Sequence, residues 1–531
     1  MRCALLQINT QAGAIARNAE LIAARAEEAA ARQADIVLTP EMALTGCPPH
    51  DLLLAPAWVQ EAEQAALALA RRLAGGPALV LGTVGRGPDL GGPLFNQALF
   101  LAGGQITAAY GKRRLSTGGL FDETKYFKPG DKSVVVEFRG RRLALTIGED
   151  LPPAEAPGAQ APPFDVLINI SASPFTAGRP AGREDRLAAL ARQYQAHLLQ
   201  VNLVGGNDEL VFDGRGLWAG PGGEILARGR GFAEDIILID LDSPGPPAPA
   251  REEFNLEAEQ WRALTLGLAD YCAKQGFRRA VLGLSGGIDS ALSAALAVAA
   301  LGPENVTGLL MPSPYSSSHS LTDAQALAAN LKIKTLTLPI SPIMEAYAGL
   351  LAAPFAGLAP DTTEENLQAR IRGQILMAFA NKFKALLINT GNKSEGAVGY
   401  CTIYGDSCGG LALIGDLYKT EVYSLCRWLN ASAELIPRNI LAKAPSAELK
   451  PGQTDQDSLP PYEDLDRILR GLVEERRGPA DLASAGFDPA AIARVEALVR
   501  AAEFKRRQAP ALLKISADPV GAGWRLPLAK D

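Results

Sequence analysis

The residues whose types and spacing best suit chemistry lie in one short turn, Ser285-Gly286-Gly287-Ile288-Asp289-Ser290. The apolar run over 280–284 predicts a buried strand, and the Ala- and Leu-rich run over 291–301 predicts a helix. Between them, two glycines let the backbone bend tightly and come close to a ligand. The new helix points free N–H groups and the positive end of its dipole at whatever sits over the turn. A phosphate chain fits that position. Asp289 is out of place beside phosphate unless it holds a divalent cation that the phosphates share. The alternative is an ordinary Gly-rich strand–helix turn.

More polar groups fall at predicted strand ends downstream. A strand over 385–389 ends in Thr390-Gly391-Asn392-Lys393-Ser394-Glu395. There Lys393 is placed to offset phosphate charge, and Glu395 to join Asp289 in holding Mg²⁺ through hard oxygen ligands. Asn366, Gln368, Arg370 and Arg372 crowd the start of a helix over 363–380, although a plain polar helix face would explain any one of them. Tyr404-Gly405-Asp406 and Asp416-Leu417-Tyr418-Lys419 add two carboxylates and a lysine on loops. The stretches 445–449 and 453–462 read as an ordered polar loop. Ser320 or Thr322 is positioned to cap a helix over 323–331. Cys401 and Cys408 have no His or Cys at ligand spacing and read as small core residues.

A second set of polar groups lies far upstream. Glu41 follows a strand over 35–38, Lys112 follows one over 105–110, and Glu123 lies within Phe121-Asp122-Glu123. Taken singly, each would be an ordinary solvated residue.

The elements that must position these groups alternate between strand and helix. In the first half strands are predicted over 3–8, 35–38, 78–83, 96–102, 105–110, 143–147, 166–170 and 198–202, with helices over 18–33, 58–73 and 184–194. The Pro-rich run at 243–252 cannot pack as helix or central strand and reads as a linker between domains over 1–242 and 253–531. Beyond it, βα alternation predicts a doubly wound parallel sheet, whose ligands lie past the carboxyl ends of its strands. At 531 residues the chain is too long for one ordinary domain, and 47% apolar content allows large cores. A net charge of −6 without a long basic run argues against a nucleic-acid partner. No apolar stretch is long enough for a membrane, and the N-terminus has no signal-peptide pattern. Six scattered cysteines with no CxxC, and only three histidines, argue against structural zinc and suit a reducing cytoplasm.

Three sets of motifs carry a resemblance. The Ser-Gly-Gly-x-Asp-Ser turn resembles the pyrophosphate loop of ATP pyrophosphatases. Leu38-Thr39-Pro40-Glu41, Tyr110-Gly111-Lys112 and the segment around Glu123, with Asn169-Ile170-Ser171-Ala172-Ser173-Pro174 and the run 204–214, resemble the glutamine amidohydrolase branch of the nitrilase family. That likeness implies an αββα sandwich in which Glu acts as general base, Lys stabilises the oxyanion and Cys is the nucleophile. The order Ser-Gly-Gly-Ile-Asp-Ser, Glu-Asn-Leu-Gln-Ala-Arg, Thr-Gly-Asn-Lys-Ser-Glu, Tyr-Gly-Asp, Pro-Ser-Ala-Glu-Leu resembles the synthetase domain of the glutamine-dependent NAD synthetase family. The resemblance thins after about Gly478. Other ATP pyrophosphatases, of GMP or argininosuccinate ligase type, lack the Thr-Gly-Asn-Lys-Ser-Glu run. A non-catalytic scaffold protein would have lost Asp289, Lys393 or Glu395.

The resemblance implies ATP-dependent adenylation of the nicotinate carboxylate of deamido-NAD, then attack by ammonia to give NAD, AMP and pyrophosphate. Ser285, Gly286, Gly287, Ile288, Asp289, Ser290 and Thr390 would bind ATP, with Lys393 and Mg²⁺ offsetting charge. Asn366, Arg370, Asp406 and Lys419 match positions used for deamido-NAD. A homo-oligomer is implied by the same analogy. The sequence departs from the amidase pattern twice. The family's cysteine precedes Glu-Asp after a strand, where this chain has Gly148-Glu149-Asp150, and Asn207 stands for the usual Gln. Glu and Lys act on a proton and an oxyanion and cannot supply a nucleophile, and Cys47 lies in a different loop. Two explanations stay open: the chain uses free ammonia or an ammonia-supplying partner, or Gly148 replaces the nucleophile of an otherwise active amidase that takes glutamine.

Overall fold

The computed structural model describes residues 1–86, 92–151, 163–243, 245–246, 248, 254–521 and 523–529, with the backbone alone over 179–181. The predicted linker at 243–252 falls mostly outside the described residues. The chain divides into two compact units, Met1–Leu256 and Glu257–Asp531.

The first unit contains β1 (Arg2–Gln7), α1 (Ile15–Ala31), β2 (Ile36–Leu38), α2 (Pro56–Arg72), β3 (Ala78–Gly85), β4 (Phe95–Ala102), β5 (Gln105–Gly111), β6 (Val134–Phe138), β7 (Arg141–Ile147), β8 (Val166–Ser171), α3 (Arg179–Tyr194), β9 (His197–Asn202), β10 (Val204–Asn207), β11 (Leu210–Asp213), β12 (Leu217–Ala219), β13 (Ile225–Arg228) and β14 (Asp235–Asp240). These build two six-stranded sheets, in the orders β14-β1-β2-β3-β4-β5 and β13-β12-β9-β8-β7-β6. Leu5, Leu38, Val80 and Phe100 of one sheet share a buried core with Leu145, Ile168, Val201 and Trp218 of the other. Each sheet buries its second face under helices. Ile22 and Ala26 of α1 and Ala62, Ala66 and Leu69 of α2 cover the first, and Leu187, Leu190 and Ala191 of α3 cover the second. The apolar faces of both sheets and both helix layers are thereby used, which gives the expected αββα sandwich. Strands β6 and β14 and the short strands β10–β13 are not predicted from the sequence.

The second unit holds α4 (Leu256–Gln275), β15 (Ala280–Gly283), α5 (Ile288–Leu301), β16 (Val306–Leu310), α6 (Ser318–Leu331), β17 (Lys334–Thr337), α7 (Ser341–Leu351), α8 (Thr362–Phe383), β18 (Leu386–Asn389), α9 (Lys393–Val398), β19 (Leu411–Ala412), α10 (Lys419–Leu429), α11 (Arg438–Ala442), α12 (Tyr462–Val473), α13 (Pro479–Ser484), α14 (Pro489–Ala501) and α15 (Glu503–Arg506). The five strands run in the order β17-β16-β15-β18-β19, and every pairing is parallel. Strand order reverses at β15, so the turn after it opens at the topological switch point where doubly wound sheets bind ligands.

Several helix starts differ from expectation: α1 begins at Ile15 and not 18, α3 at Arg179 and not 184, and two more lie beside the turn. Helix α5 begins at Ile288, not 291, so Asp289 and Ser290 belong to its first turn. An acidic residue there is favoured by the helix dipole. Helix α6 begins at Ser318 and is capped by Ser317, whose side chain accepts from the Ser320 N–H; neither Ser320 nor Thr322 is the cap.

Candidate active sites

In the first unit, four separate strand ends converge. Glu41, Lys112 and Glu123 are each at most 4% exposed, so their charges must be satisfied internally. Lys112 Nζ lies 2.7 Å from Glu41 Oε1 and 2.7 Å from Glu123 Oε2. Asn96 Nδ2 bridges the same two carboxylates, donating to Glu41 Oε1 at 2.7 Å and Glu123 Oε1 at 2.8 Å. The Ala172 N–H donates to Glu41 Oε2 at 2.9 Å. Burial alone would push the Lys112 ammonium down, but Glu41 and Glu123 more than offset it and the net shift is upward. Asp150 aligns the strand that carries Lys112, accepting from Tyr110 Oη and from the N–H groups of Arg113 and Arg114.

Gly148 faces this cluster from the end of β7. Its φ is +49°, and a Cβ built on it would lie 3.0 Å from Glu41 Oε2 and 3.2 Å from Lys112 Nζ. A side chain at this position would therefore point between the Glu41 carboxylate and the Lys112 ammonium. Asn169 Nδ2 donates to the Gly148 carbonyl at 3.2 Å and holds the turn. Cys47 offers no substitute: burial first, then Glu41 and Glu123, push its thiol well above the usual range. The Asn207 side chain serves the backbone, donating to the carbonyls of Thr10 and Cys47. Because Lys112 neutralises two buried carboxylates, Lys112→Met is expected to lower stability by about 3–5 kcal/mol. A denaturant melt of the first unit's transition checks this; an unchanged midpoint would mean the cluster is not ionised as drawn.

In the second unit the turn after β15 is fixed by its own serines. Ser285 Oγ and Ser290 Oγ are 3.1 Å apart, Gly287 N donates to Ser285 Oγ at 3.2 Å, and Ser290 Oγ donates to the Gly287 carbonyl. Gly286 has φ +76°, and a Cβ there would strike the Ser320 carbonyl at 2.3 Å, so only glycine fits. Asp289 and Glu395 converge on one ammonium, since Lys419 Nζ lies 2.6 Å from Asp289 Oδ2 and 3.1 Å from Glu395 Oε1. Lys419 is the first residue of α10 and not a loop residue. Asn392 caps α9 by accepting from Glu395 N, and donates to Asp289 Oδ1 at 3.0 Å. Burial raises the Glu395 carboxyl to about 7, with Lys419 opposing and Asp289 adding to the shift.

Two carboxylates presenting hard oxygens fit a divalent cation whose remaining ligands come from phosphate and water. Among the described residues no group of three or more His, Cys, Asp and Glu could hold a metal alone.

Lys393 departs from expectation. Its ammonium does not reach toward the turn; it is enclosed by Asp416, Glu474, Ser516 and the Asp518 carbonyl. The first turn of α9 sends Asn392 and Glu395 toward Asp289, and Lys393 leaves that turn in another direction. Of the remaining predicted residues, Asn366 Oδ1 accepts from Thr402 Oγ1 at 2.8 Å, and Arg370 Nε donates to the Ile403 carbonyl at 3.3 Å. Asp406 accepts from Thr402 N, and burial raises its carboxyl. These three gather around residues 402–406. Thr390 follows β18 directly and is half-buried. Sequence reasoning missed Asn96, Asn392 and Glu448. Glu448 accepts from Ser317 Oγ and Ser320 Oγ, beside the Gly286 turn. Asn392 was accessible, because Asn-x-x-Glu is a capping-box pattern.

Fold and sites together define a carbon–nitrogen hydrolase unit joined to an NAD synthase unit. The carbon-nitrogen hydrolase family matches residues 2–245 and the NAD synthase family residues 260–509. The chain is 46% identical to a glutamine-dependent NAD(+) synthetase of Synechocystis sp., covering 99% of this chain and 98% of that protein. It is 41% identical to the one of Thermotoga maritima, with the same coverage of each chain. Among solved structures, a glutamine-dependent NAD+ synthetase from Acinetobacter baumannii in complex with ADP aligns with a TM-score of 0.78 at 34% identity, covering 97% of this chain and 96% of that one. The chain belongs to the glutamine-dependent NAD(+) synthetase family, and it is a ligase of NAD biosynthesis.

Proposed function

We propose that this chain amidates deamido-NAD to NAD with ammonia as the direct nitrogen donor. The observation that carries this reading is Gly148: the position aimed between Glu41 and Lys112 has no side chain, so the first unit has a base and an ammonium but no nucleophile. Ammonia then comes from solution or from an ammonia-supplying partner.

A carboxylate is a poor electrophile, and adenylation gives its oxygen a good leaving group. Ser285, Gly286, Gly287, Ile288 and Ser290 bind the ATP phosphates at the N-terminus of α5. Asp289 and Glu395 would hold Mg²⁺, which would offset the charge on the departing pyrophosphate. Lys419 keeps the two carboxylates together and supplies positive charge beside the same phosphates. Thr390 lies by the nucleotide, and Asn366, Arg370 and Asp406 contact deamido-NAD. Incubation with ATP, Mg²⁺ and deamido-NAD is expected to yield NAD with ammonia and only background NAD with glutamine. Glutamine-driven synthesis with matching glutamate release would overturn the ammonia assignment.

We also infer self-association through the second unit. Helix α7 is apolar yet has no buried residue. Leu350 and Leu358 are 74% and 72% exposed, and Phe383 on the neighbouring α8 is 52% exposed. Contiguous exposed apolar groups mark interaction surfaces. Leu350→Asp with Leu358→Asp is expected to halve the mass measured by light scattering; an unchanged mass removes this surface from consideration. The described residues include no helix long and apolar enough to cross a membrane. All six cysteines are free, which supports a cytoplasmic setting.

A further inference from the structure

The reaction as drawn makes no use of Lys393, a fully buried charged group of the second unit. Lys393 is 0% exposed, and its ammonium has a complete set of acceptors. It donates to Glu474 Oε1 at 2.7 Å, to Ser516 Oγ at 2.7 Å and to the Asp518 carbonyl at 3.0 Å, and lies 3.0 Å from Asp416 Oδ1. It also sits 4.7 Å over the Tyr418 ring. Asp416 is equally committed. It accepts from Ile515 N at 2.8 Å, Ser516 N at 2.7 Å and Ser516 Oγ at 2.7 Å.

Both partners therefore grip the same C-terminal segment. That segment joins the sheet just upstream, where Ala412 bridges Leu512 and its N–H donates to the Ala511 carbonyl. Lys393 is also the first residue of α9, and its N–H donates to the Leu417 carbonyl at 2.8 Å. The residues on either side face the phosphate turn or its lysine. Asn392 bonds Asp289, and Ser394 Oγ accepts from Lys419 N at 2.9 Å. A buried charge with fixed acceptors is costly to disturb, so the geometry of each group constrains the other.

We propose that Lys393, paired with Asp416, is a positioning residue: it ties the 511–520 segment to the first turn of α9 and so fixes Asn392 and Glu395 against Asp289. This rests on the reading that places Asp289 and Glu395 at the ATP phosphates. Lys393 itself touches no phosphate.

The test uses the full chain carrying Lys393→Met or Ser516→Ala, assayed for ammonia-dependent NAD formation at a temperature where circular dichroism shows the folded state. Lys393→Met is expected to lower kcat by about 10²-fold while the ATP KM stays within about threefold, as misplacement of a catalytic group does. Amide exchange at Ile515 and Ser516 should quicken by about tenfold or more, because their acceptor loosens. Ser516→Ala keeps the charge pair and is expected to change both readouts in the same direction by a smaller factor. It decides the question if Lys393→Met does not fold. A normal kcat with faster exchange would make the tie structural only and overturn the proposal. So would an ATP KM raised about tenfold or more with unchanged exchange, the signature of lost uniform binding to a phosphate. A wild-type chain that makes no NAD would instead sink the ATP-site reading, while the exchange measurement still reports on the tie.

Discussion

Asp289→Ala is expected to abolish NAD formation with free ammonia, a loss on the order of 10³-fold or more if a charge-offsetting centre worth several kcal/mol is removed. The carboxylate stands in the first turn of α5, beside free N–H groups that suit phosphate. It is held from two sides, by Asn392 Nδ2 at 3.0 Å and Lys419 Nζ at 2.6 Å. The helix dipole and Lys419 satisfy this carboxylate in the ligand-free chain, and the substitution tests the further role proposed for it, sharing a cation with the phosphates. Asp289→Asn separates charge from shape. The amide oxygen can still accept from Lys419, so folding is expected to survive and activity to be lost as in the alanine variant. Titrating Mg²⁺ in the ATP-binding assay adds a reading that does not depend on turnover. Either variant making NAD at the wild-type rate would show that the cation is held elsewhere.

How far these sites could be read from sequence depends on which forces place each residue. The turn at 285–290 is legible because local rules determine it: an apolar strand, two glycines that allow the bend, and a helix start. The doubly wound parallel sheet of the second unit follows from its βα alternation, whereas for the first unit alternation gives layered strands and helices and the αββα sandwich is what the nitrilase resemblance implies. The short strands β10–β13 do not follow, since three- and four-residue strands are stabilised by their partners, not by their own pattern. The start of α5 is less legible, because Ile288, Asp289 and Ser290 have turn-like composition while the helix dipole favours the acid in a first turn. Lys393 shows the limit most clearly. Its neighbours in sequence face the phosphate turn, but its own direction is set by Asp416, Glu474 and Ser516, which lie 23 to 123 residues further along. Lys419 illustrates the converse. The sequence places it on a loop near the substrate, and the fold inserts it, as the first residue of α10, between two carboxylates from distant segments.

Gly148→Cys is expected to give the first unit a thiol-dependent glutaminase activity, at least about 10²-fold above the unsubstituted chain, because a missing nucleophile cannot be replaced by base and oxyanion stabilisation alone. Space and electrostatics both allow it. The atoms nearest the added Cβ are the far ends of Glu41 and Lys112, at 3.0 and 3.2 Å, and these can shift by a few tenths of an ångström. The left-handed backbone at φ +49° costs a non-glycine residue roughly 1–3 kcal/mol, which a tightly held elbow can sustain. The Lys112 ammonium favours a thiolate, and Glu41 is placed to take its proton. Asn207 does not argue against recovery, because its amide is spent on the carbonyls of Thr10 and Cys47. Glutamate release sensitive to a thiol alkylating agent, and lost again when Glu41→Gln is added, would show that Gly148 alone silences the site. A folded Gly148→Cys chain that releases no glutamate would mean the pocket has lost glutamine recognition as well. In that case ammonia is the donor by design of the whole unit and not of one residue.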